Sequence, residues 1–221
     1  MRSERPIVCL VTDRRRLVGG DSFHAARAAL AQLARDAVHA GVDLIQVRER
    51  DLDTARLVDV VADFVEIARG SPVRIIVNDR LDVALACGAG GVQLRSDSMP
   101  PAAARSVTPP GFLLGRSVHH VDEAVDEAPA ADYLIAGTVF PTMSKPPAHA
   151  LLGAGGLARM ARAVRVPILA IGGVTLERVP EIAAAGASGV AAIGLFLCSE
   201  STMTDVVANV RRQFDRARAA F

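Results

Sequence analysis

Eight short apolar runs alternate along this 221-residue chain with longer stretches of helical periodicity. Polar residues do not alternate within the runs, which is typical of strands buried on both faces of a parallel sheet. The predicted strands are 7–11, 44–47, 74–77, 91–94, 112–115, 133–136, 168–171 and 189–193. The predicted helices are 23–40, 54–68, 81–87, 101–106 (short and weak), 122–128, 154–163, 176–185 and 202–220.

A glycine turn recurs between a predicted helix and the next strand, at Gly41, Gly88 and Gly186. Glycine adopts the left-handed conformation that ends a helix, and the chain then enters the sheet. Right-handed crossovers make such repeats parallel. Eight of them without a break predict one α/β domain over residues 1–221, a single (β/α)₈ TIM barrel. An open doubly wound sheet is the alternative.

Charge and cysteine content restrict the class of protein. The formal net charge is +1 and hydrophobic residues make up 51%, so electrostatics favour neither a nucleic acid nor an anionic membrane as partner. The three cysteines, Cys9, Cys87 and Cys198, form no C-x-x-C pair, which fits reduced thiols. No apolar run is long enough for a membrane span or a signal-peptide core. We therefore expect a cytoplasmic protein.

Polar residues cluster directly after the predicted strands, where barrels of this kind carry their active sites. Because the carboxyl ends of parallel strands meet on one rim, we expect these side chains to converge. They are Thr12, Asp13, Arg48, Glu49, Arg50, Asn78, Asp79, 95–98, Arg116, Ser117, His119, 138–145, Gly172, Gly173 and Gly194.

Two glycines, Gly172 and Gly173, follow the seventh strand and precede Thr175 at a helix start. Glycine amides at such a place bind anions, although a plain tight turn has the same sequence. Gly194 holds the matching place after the eighth strand. A phosphate site between the last two strand–helix loops is common in these barrels, so the pattern predicts a small phosphorylated ligand.

Six motifs then carry a family resemblance. They are QVRER at 46–50, VNDRLD at 77–82, GVQL at 91–94, GRSVH at 115–119, GTVFPT at 137–142 with Lys145, and AIGGV at 170–174. Together they resemble the thiamin phosphate synthase and thiazole tautomerase superfamily over nearly the whole chain. The resemblance implies a phosphorylated thiazole metabolite as ligand and a homo-oligomer. Its two members share a fold but differ in chemistry.

The synthase joins a pyrimidine pyrophosphate to a thiazole phosphate and uses Mg²⁺. The resemblance places Gln46 and Arg48 at the pyrimidine pyrophosphate. It places Asn78 and Asp79 at the pyrophosphate and metal, and Lys145 at the leaving group.

Two departures from the synthase pattern weigh against the Mg²⁺ site. The synthase has a second metal-binding acid beyond the fourth strand, and matching from Asp79 puts Ser98 there. Asp97 lies one residue away and reaches the site only if the loop shifts. Arg95 replaces the usual glycine after that strand.

The tautomerase isomerises a carboxylated thiazole phosphate without a cofactor. One imidazole of near-neutral pKa can remove and return the proton, and the resemblance assigns that role to His119. Asn78, Ser117 and Thr142 are the further substrate-binding candidates. We expect the tautomerase, with the synthase as alternative and a non-catalytic, regulatory phosphometabolite-binding protein as a further one.

Several of these residues have structural alternatives. Arg48 can pair with Glu49 or Asp79, and Asp79 can cap the helix that begins near residue 81. The basic run 14–16 fits a solvated loop better than a phosphate-facing cluster. The Pro-rich segment 141–149 is expected to be a lid.

Overall fold

The computed structural model describes residues 5–142, 150–197 and 201–219 of the chain. Eight parallel strands form a closed barrel in sequence order, and β1 also pairs with β8. The strands are β1 (Ile7–Val11), β2 (Leu44–Val47), β3 (Arg74–Asn78), β4 (Gly91–Leu94), β5 (Leu113–Val118), β6 (Tyr133–Ala136), β7 (Ile168–Ile171) and β8 (Gly189–Ala192). The predicted (β/α)₈ barrel is confirmed, and the open sheet is wrong.

A helix follows each strand. The helices are α1 (Phe23–Ala40), α2 (Thr54–Ala68), α3 (Leu81–Ala86), α4 (Pro101–Arg105), α5 (Val121–Glu127), α6 (Gly153–Ala163), α7 (Val179–Ala184) and α8 (Met203–Ala219). Short 3₁₀ turns lie at Arg14–Arg16, Leu176–Arg178 and Gly194–Phe196. No helix within the described ranges combines the length and the apolarity needed to cross a bilayer.

Local chemistry sets the ends of these helices. The Ser22 hydroxyl accepts a hydrogen bond from the Ala25 amide at the start of α1, and Asp53 caps α2 through the Arg56 amide. Gly41, the glycine predicted to end α1, has the left-handed φ of 73°. Gly41 thereby ends α1, and the chain enters β2 at Leu44.

The core has two layers separated by the strands. Alternate strand residues, with Val8 and Ile45 among them, pack outward against the helices. The others form a smaller cluster inside the barrel that includes Cys9, Ile76 and Leu169. This alternation decides which strand residues face the barrel mouth.

One strand boundary differs from the prediction in a way that matters for the site. β5 continues to Val118 rather than ending at residue 115. Arg116 and Ser117 therefore lie inside the strand and point to opposite faces. Ser117 lines the cavity at the barrel mouth, whereas Arg116 is buried on the helix side.

Candidate active site

A cavity of about 1190 Å³ opens at the carboxyl ends of the strands. Its lining contains nine of the eleven residues to which the sequence analysis assigned a catalytic, substrate-binding or phosphate-binding role: Gln46, Arg48, Asn78, Ser117, His119, Thr142, Gly172, Gly173 and Gly194. The lining does not include Asp79. Lys145, most of the predicted lid 141–149 and Cys198 fall outside the described residues. The predicted convergence of the strand-following loops on one pocket is thus observed.

The floor of the cavity is polar on the side of β2, β3 and β5. The Gln46 Nε2 donates to the Asn78 Oδ1 at 3.0 Å, and Ser117 lies further round the barrel. The Gln46 Oε1 is buried, and the described part of the chain offers it no hydrogen-bond donor. A buried acceptor without a partner is costly, so this oxygen is suited to a donor on a bound ligand.

The opposite side of the floor is apolar. Val11, Ile135, Ile171 and Ala191 line it from β1, β6, β7 and β8. An aromatic heterocycle fits such a divided floor, because its faces contact the apolar side chains while its ring substituents reach the polar ones.

The loop after β7 has the backbone that a glycine pair allows. Gly172 and Gly173 have φ values of 97° and 62°. A Cβ on Gly173 would lie 2.4 Å from the Pro141 carbonyl oxygen, so a larger residue cannot fit there. The Arg178 guanidinium donates to the Gly173 carbonyl at 2.9 Å and lies over the Phe140 ring. The loop is thus held with both glycines on the cavity.

Arg16 was not among the sequence-predicted site residues, yet it lines the cavity. Its Nη1 lies 3.3 Å from the place that a Cβ on Gly194 would occupy. The run 14–16 is therefore not a uniform solvated loop: Arg14 is ion-paired to Glu49, whereas Arg16 faces the glycine end of the cavity. Three consecutive arginines in the sequence give no local signal of which one faces the cavity.

Two further arginines, Arg48 and Arg50, follow β2 and line the cavity. Burial and the neighbouring Arg50 lower the pKa of Arg48. Within the described ranges neither guanidinium has a carboxylate partner at ion-pair distance. The suggested pairing of Arg48 with Glu49 or Asp79 is therefore wrong, and Arg48 is left to face an anionic ligand.

Glu49 has a structural role instead. Its carboxylate accepts from the Thr12 hydroxyl at 2.7 Å and from the backbone and side chain of Arg14. Burial raises its pKa, and these hydrogen bonds oppose that rise. The network joins the loop after β1 to the loop after β2, and so positions Arg16 and Arg48.

Asp79 lies beside the cavity lining and has an unusual backbone, with φ of 64°. Its Oδ2 is 3.7 Å from the Arg95 Nη1, and its Oδ1 is buried with no partner in the described chain. The suggested helix cap is wrong, because Arg80 is the cap residue of α3 and no side chain accepts there.

These residues do not fit the two-carboxylate Mg²⁺ site that the resemblance implies. The Ser98 hydroxyl donates to the Arg95 carbonyl at 3.0 Å, and Ser98 does not line the cavity. Asp97 faces the cavity but is bound by Arg95. No group of three metal-ligating side chains occurs within 5–142, 150–197 and 201–219. The Arg95 guanidinium lies beside Asp79, the one metal-binding carboxylate of the synthase pattern that this chain keeps.

His119 lies one residue beyond β5, on the cavity wall. Its Nδ1 is hydrogen-bonded to the Gly137 carbonyl oxygen, and its backbone amide donates to Glu123 at 2.6 Å. A carbonyl only accepts, so Nδ1 carries the proton and Nε2 is the basic nitrogen of the neutral ring. The side chain can therefore exchange a proton with a ligand through Nε2.

Arg116 was expected on the rim with Ser117 and His119, and this expectation is wrong. The longer β5 directs its side chain away from the mouth, and the buried guanidinium donates to the Arg95 carbonyl at 2.6 Å. It also donates to the Ser96 and Met99 carbonyls and to the Glu127 carboxylate. Arg116 thus supports the loop after β4 from behind.

Comparisons with known proteins agree with this geometry. The thiamine monophosphate synthase family model matches residues 8–196. The thiamine-phosphate synthase of Methanospirillum hungatei is 40% identical over 169 residues, covering 76% of this chain and 82% of that protein. That of Methanoregula boonei is 37% identical over 204 residues, covering 92% and 90%. The structure of thiamine phosphate pyrophosphorylase from Pyrococcus furiosus covers 96% of both chains, with a TM-score of 0.79 and 29% identity. With a matching model over most of its length and relatives at this identity, the chain belongs to the thiamine monophosphate synthase family.

Proposed function

We propose that this chain is a thiamine phosphate synthase, which joins a pyrimidine pyrophosphate to a thiazole phosphate and releases pyrophosphate. Two groups of cationic or anion-binding residues on different strand-following loops of one cavity carry the proposal. Arg16 and the glycines after β7 and β8 form one, and Arg48, Arg50 and Arg95 after β2 and β4 form the other. A monophosphate and a pyrophosphate need two such sites at once, whereas a tautomerase substrate carries a single phosphate.

The synthase reaction needs little covalent help from the protein. The thiazole nitrogen donates its lone pair to the carbon that bears the pyrophosphate, and the carbon–oxygen bond breaks with its electrons leaving on oxygen. The barrier therefore falls mainly through alignment of the two rings and stabilisation of charge on the departing group. In this chain the divided floor supplies alignment, and Arg48 and Arg50 supply charge.

The tautomerase remains the second candidate, because a specific observation favours it. His119 has one ring nitrogen fixed by the Gly137 carbonyl and the other available, as a proton shuttle requires. The synthase takes precedence because the curated relatives bear that name. Its two anion sites also account for arginines that a tautomerase would leave unused.

The test measures both reactions on the same purified protein. With hydroxymethylpyrimidine pyrophosphate and thiazole phosphate, we expect thiamin phosphate and pyrophosphate to form in equal amounts. Arg48→Ala should lower kcat/KM about ten- to hundred-fold, the effect of losing a hydrogen bond to a charged group. Arg69→Ala, at an exposed ion pair on the end of α2, is the matched control and should have no effect.

His119→Gln separates the two candidates. A synthase should keep its activity within about three-fold, whereas loss of a proton shuttle costs about 10²- to 10⁴-fold. Aromatisation of carboxythiazole phosphate by the wild type, lost in His119→Gln, together with no thiamin phosphate formation, would overturn the proposal in favour of the tautomerase.

A further inference from the structure

Arg95 lies where the loop after β4 meets the cavity, between two carboxylates. Its Nε and Nη2 donate to Asp97 at 2.8 and 2.5 Å, and its Nη1 is 3.7 Å from the Asp79 Oδ2. The guanidinium is 41% exposed, and Arg95 and Asp97 both line the cavity. A cation thus occupies the space between the two acids that lie nearest the expected metal position.

The residues that differ from the synthase pattern at this place change the local net charge by the amount that a divalent ion carries. Relative to the pattern that the resemblance implies, a neutral glycine becomes Arg95 and an acid becomes Ser98. Each change adds one unit of positive charge, so the pair adds the two units that Mg²⁺ brings. Electrostatic stabilisation of a leaving pyrophosphate depends on net local charge. This chain gains the two units without a metal, one from the Arg95 guanidinium and one from the acid that Ser98 replaces.

The loop backbone is built to present Arg95. Its carbonyl accepts from the Arg116 Nη1 at 2.6 Å, from the Ser98 hydroxyl at 3.0 Å and from the Ser98 amide at 3.1 Å. Ser98 therefore closes the turn that carries the arginine, a role that an aspartate reaching for a metal would not have. Arg116 is 5% exposed, so the turn rests on a buried support.

We propose that Arg95 replaces the divalent cation in this chain and binds the pyrophosphate directly. The idea rests on the proposed function, since it concerns the leaving group of that reaction. A guanidinium carries five N–H donors in a plane and binds phosphate oxygens in pairs. The Nε and Nη2 of Arg95 donate to Asp97, whereas its Nη1 makes no hydrogen bond to any described residue.

The first experiment measures binding of inorganic pyrophosphate by isothermal titration calorimetry after chelation of all metals with EDTA. The wild type should bind pyrophosphate without metal, and Arg95→Ala should weaken that binding at least ten-fold. Arg95→Lys keeps the charge but not the paired donors, and should fall between them. Binding by the wild type only when Mg²⁺ is added would overturn the proposal.

Arg80→Ala is the matched control. Arg80 is bound to Asp82 through the same pair of nitrogens, at 2.8 and 2.6 Å, and a single residue likewise separates the partners in sequence. Arg80 does not line the cavity, so its loss should leave pyrophosphate affinity within about two-fold. Equal affinities in Arg95→Ala and Arg80→Ala would refute a role for Arg95.

The second experiment rebuilds the metal site. Mn²⁺ binding, followed by electron paramagnetic resonance, should be absent from the wild type at micromolar metal and present in the double variant Arg95→Gly, Ser98→Asp. The double variant should also need Mg²⁺ to bind pyrophosphate. Equal Mn²⁺ binding by the wild type and the double variant would show that Arg95 does not take the place of the ion.

These readouts are independent of turnover, so the two proposals fail separately. Metal-free pyrophosphate binding through Arg95 without thiamin phosphate formation would sink the synthase but leave Arg95 as an anion-binding residue. Thiamin phosphate formation that strictly requires Mg²⁺, and is unchanged in Arg95→Ala, would support the synthase and overturn the role of Arg95.

Discussion

Replacing Arg116 by alanine should loosen the loop that carries Arg95 and lower the stability of the whole barrel. The Arg116 side chain is 6% exposed and its Nη2 lies 2.7 Å from the Glu127 carboxylate. Its other hydrogen bonds reach the Arg95, Ser96 and Met99 carbonyls. The substitution removes all of these contacts and leaves Glu127, itself 24% exposed, without its partner.

The size of the effect follows from what the remaining groups do. Breaking a buried ion pair from one side costs about 3–5 kcal/mol. Glu127 is near enough to solvent to recover part of its hydration, and the buried Arg116 Nε already lacks a partner within the described chain. We therefore expect a loss of about 3 kcal/mol, the lower end of that range. With about 2.1 cal/mol/K of unfolding entropy per residue, this lowers Tm by about 6 °C.

Differential scanning calorimetry and urea unfolding measure this change. Arg69→Ala, which removes an exposed pair on the end of α2, should stay within about 0.5 kcal/mol of the wild type. Arg116→Ala should also weaken metal-free pyrophosphate binding, because the turn that presents Arg95 loses its support. A melting temperature within 1 °C of the wild type would refute the idea that this buried guanidinium holds the loop.

Three further predictions concern packing, titration and the phosphate end of the cavity. Gly115→Ala should cost about 1–3 kcal/mol in urea unfolding, because the new Cβ would lie 2.1 Å from the Gln93 Oε1. Burial raises the pKa of Cys9 to about 12 from 9.0, so iodoacetamide at pH 8 should leave Cys9 unmodified in the native protein and modify it in urea. Between pH 9 and 12 the unfolded thiol ionises while the folded one does not. The free energy of unfolding of the wild type should therefore fall by up to about 1.4 kcal/mol per pH unit relative to that of Cys9→Ala. Equal pH dependence of stability in the two proteins would contradict this. Gly194→Ala should weaken thiazole phosphate binding, because the new Cβ would lie 3.3 Å from the Arg16 Nη1 and shift the guanidinium, with Tm unchanged within about 2 °C; unchanged binding would remove Arg16 from that site.

Local sequence signals were sufficient for the elements of the fold. The bounds predicted for β1, β2, β4, β6, β7, α1 and α2 match those observed. Apolar runs, helical periodicity and glycine turns are properties of neighbouring residues, and they need no knowledge of distant contacts. Eight such units in series also predicted the closed barrel.

The position of the cavity was predictable for the same reason. Residues that follow parallel strands meet on one rim, so Arg48, Asn78 and the glycines after β7 could be assigned to the mouth before their contacts were known. The sequence resemblance added the family. It did not distinguish synthase from tautomerase, because motifs of both types occur in this chain.

Pairing between distant side chains came only from the tertiary structure. Glu49 binds Arg14, 35 residues away, instead of the adjacent Arg48. Arg95 lies beside Asp79, and Arg116 points away from the rim because β5 continues past it. An arginine in sequence carries the same charge in each of these settings. Which carboxylate or carbonyl it reaches is fixed by strand register and by the face on which its Cβ lies, and these are set when the barrel closes.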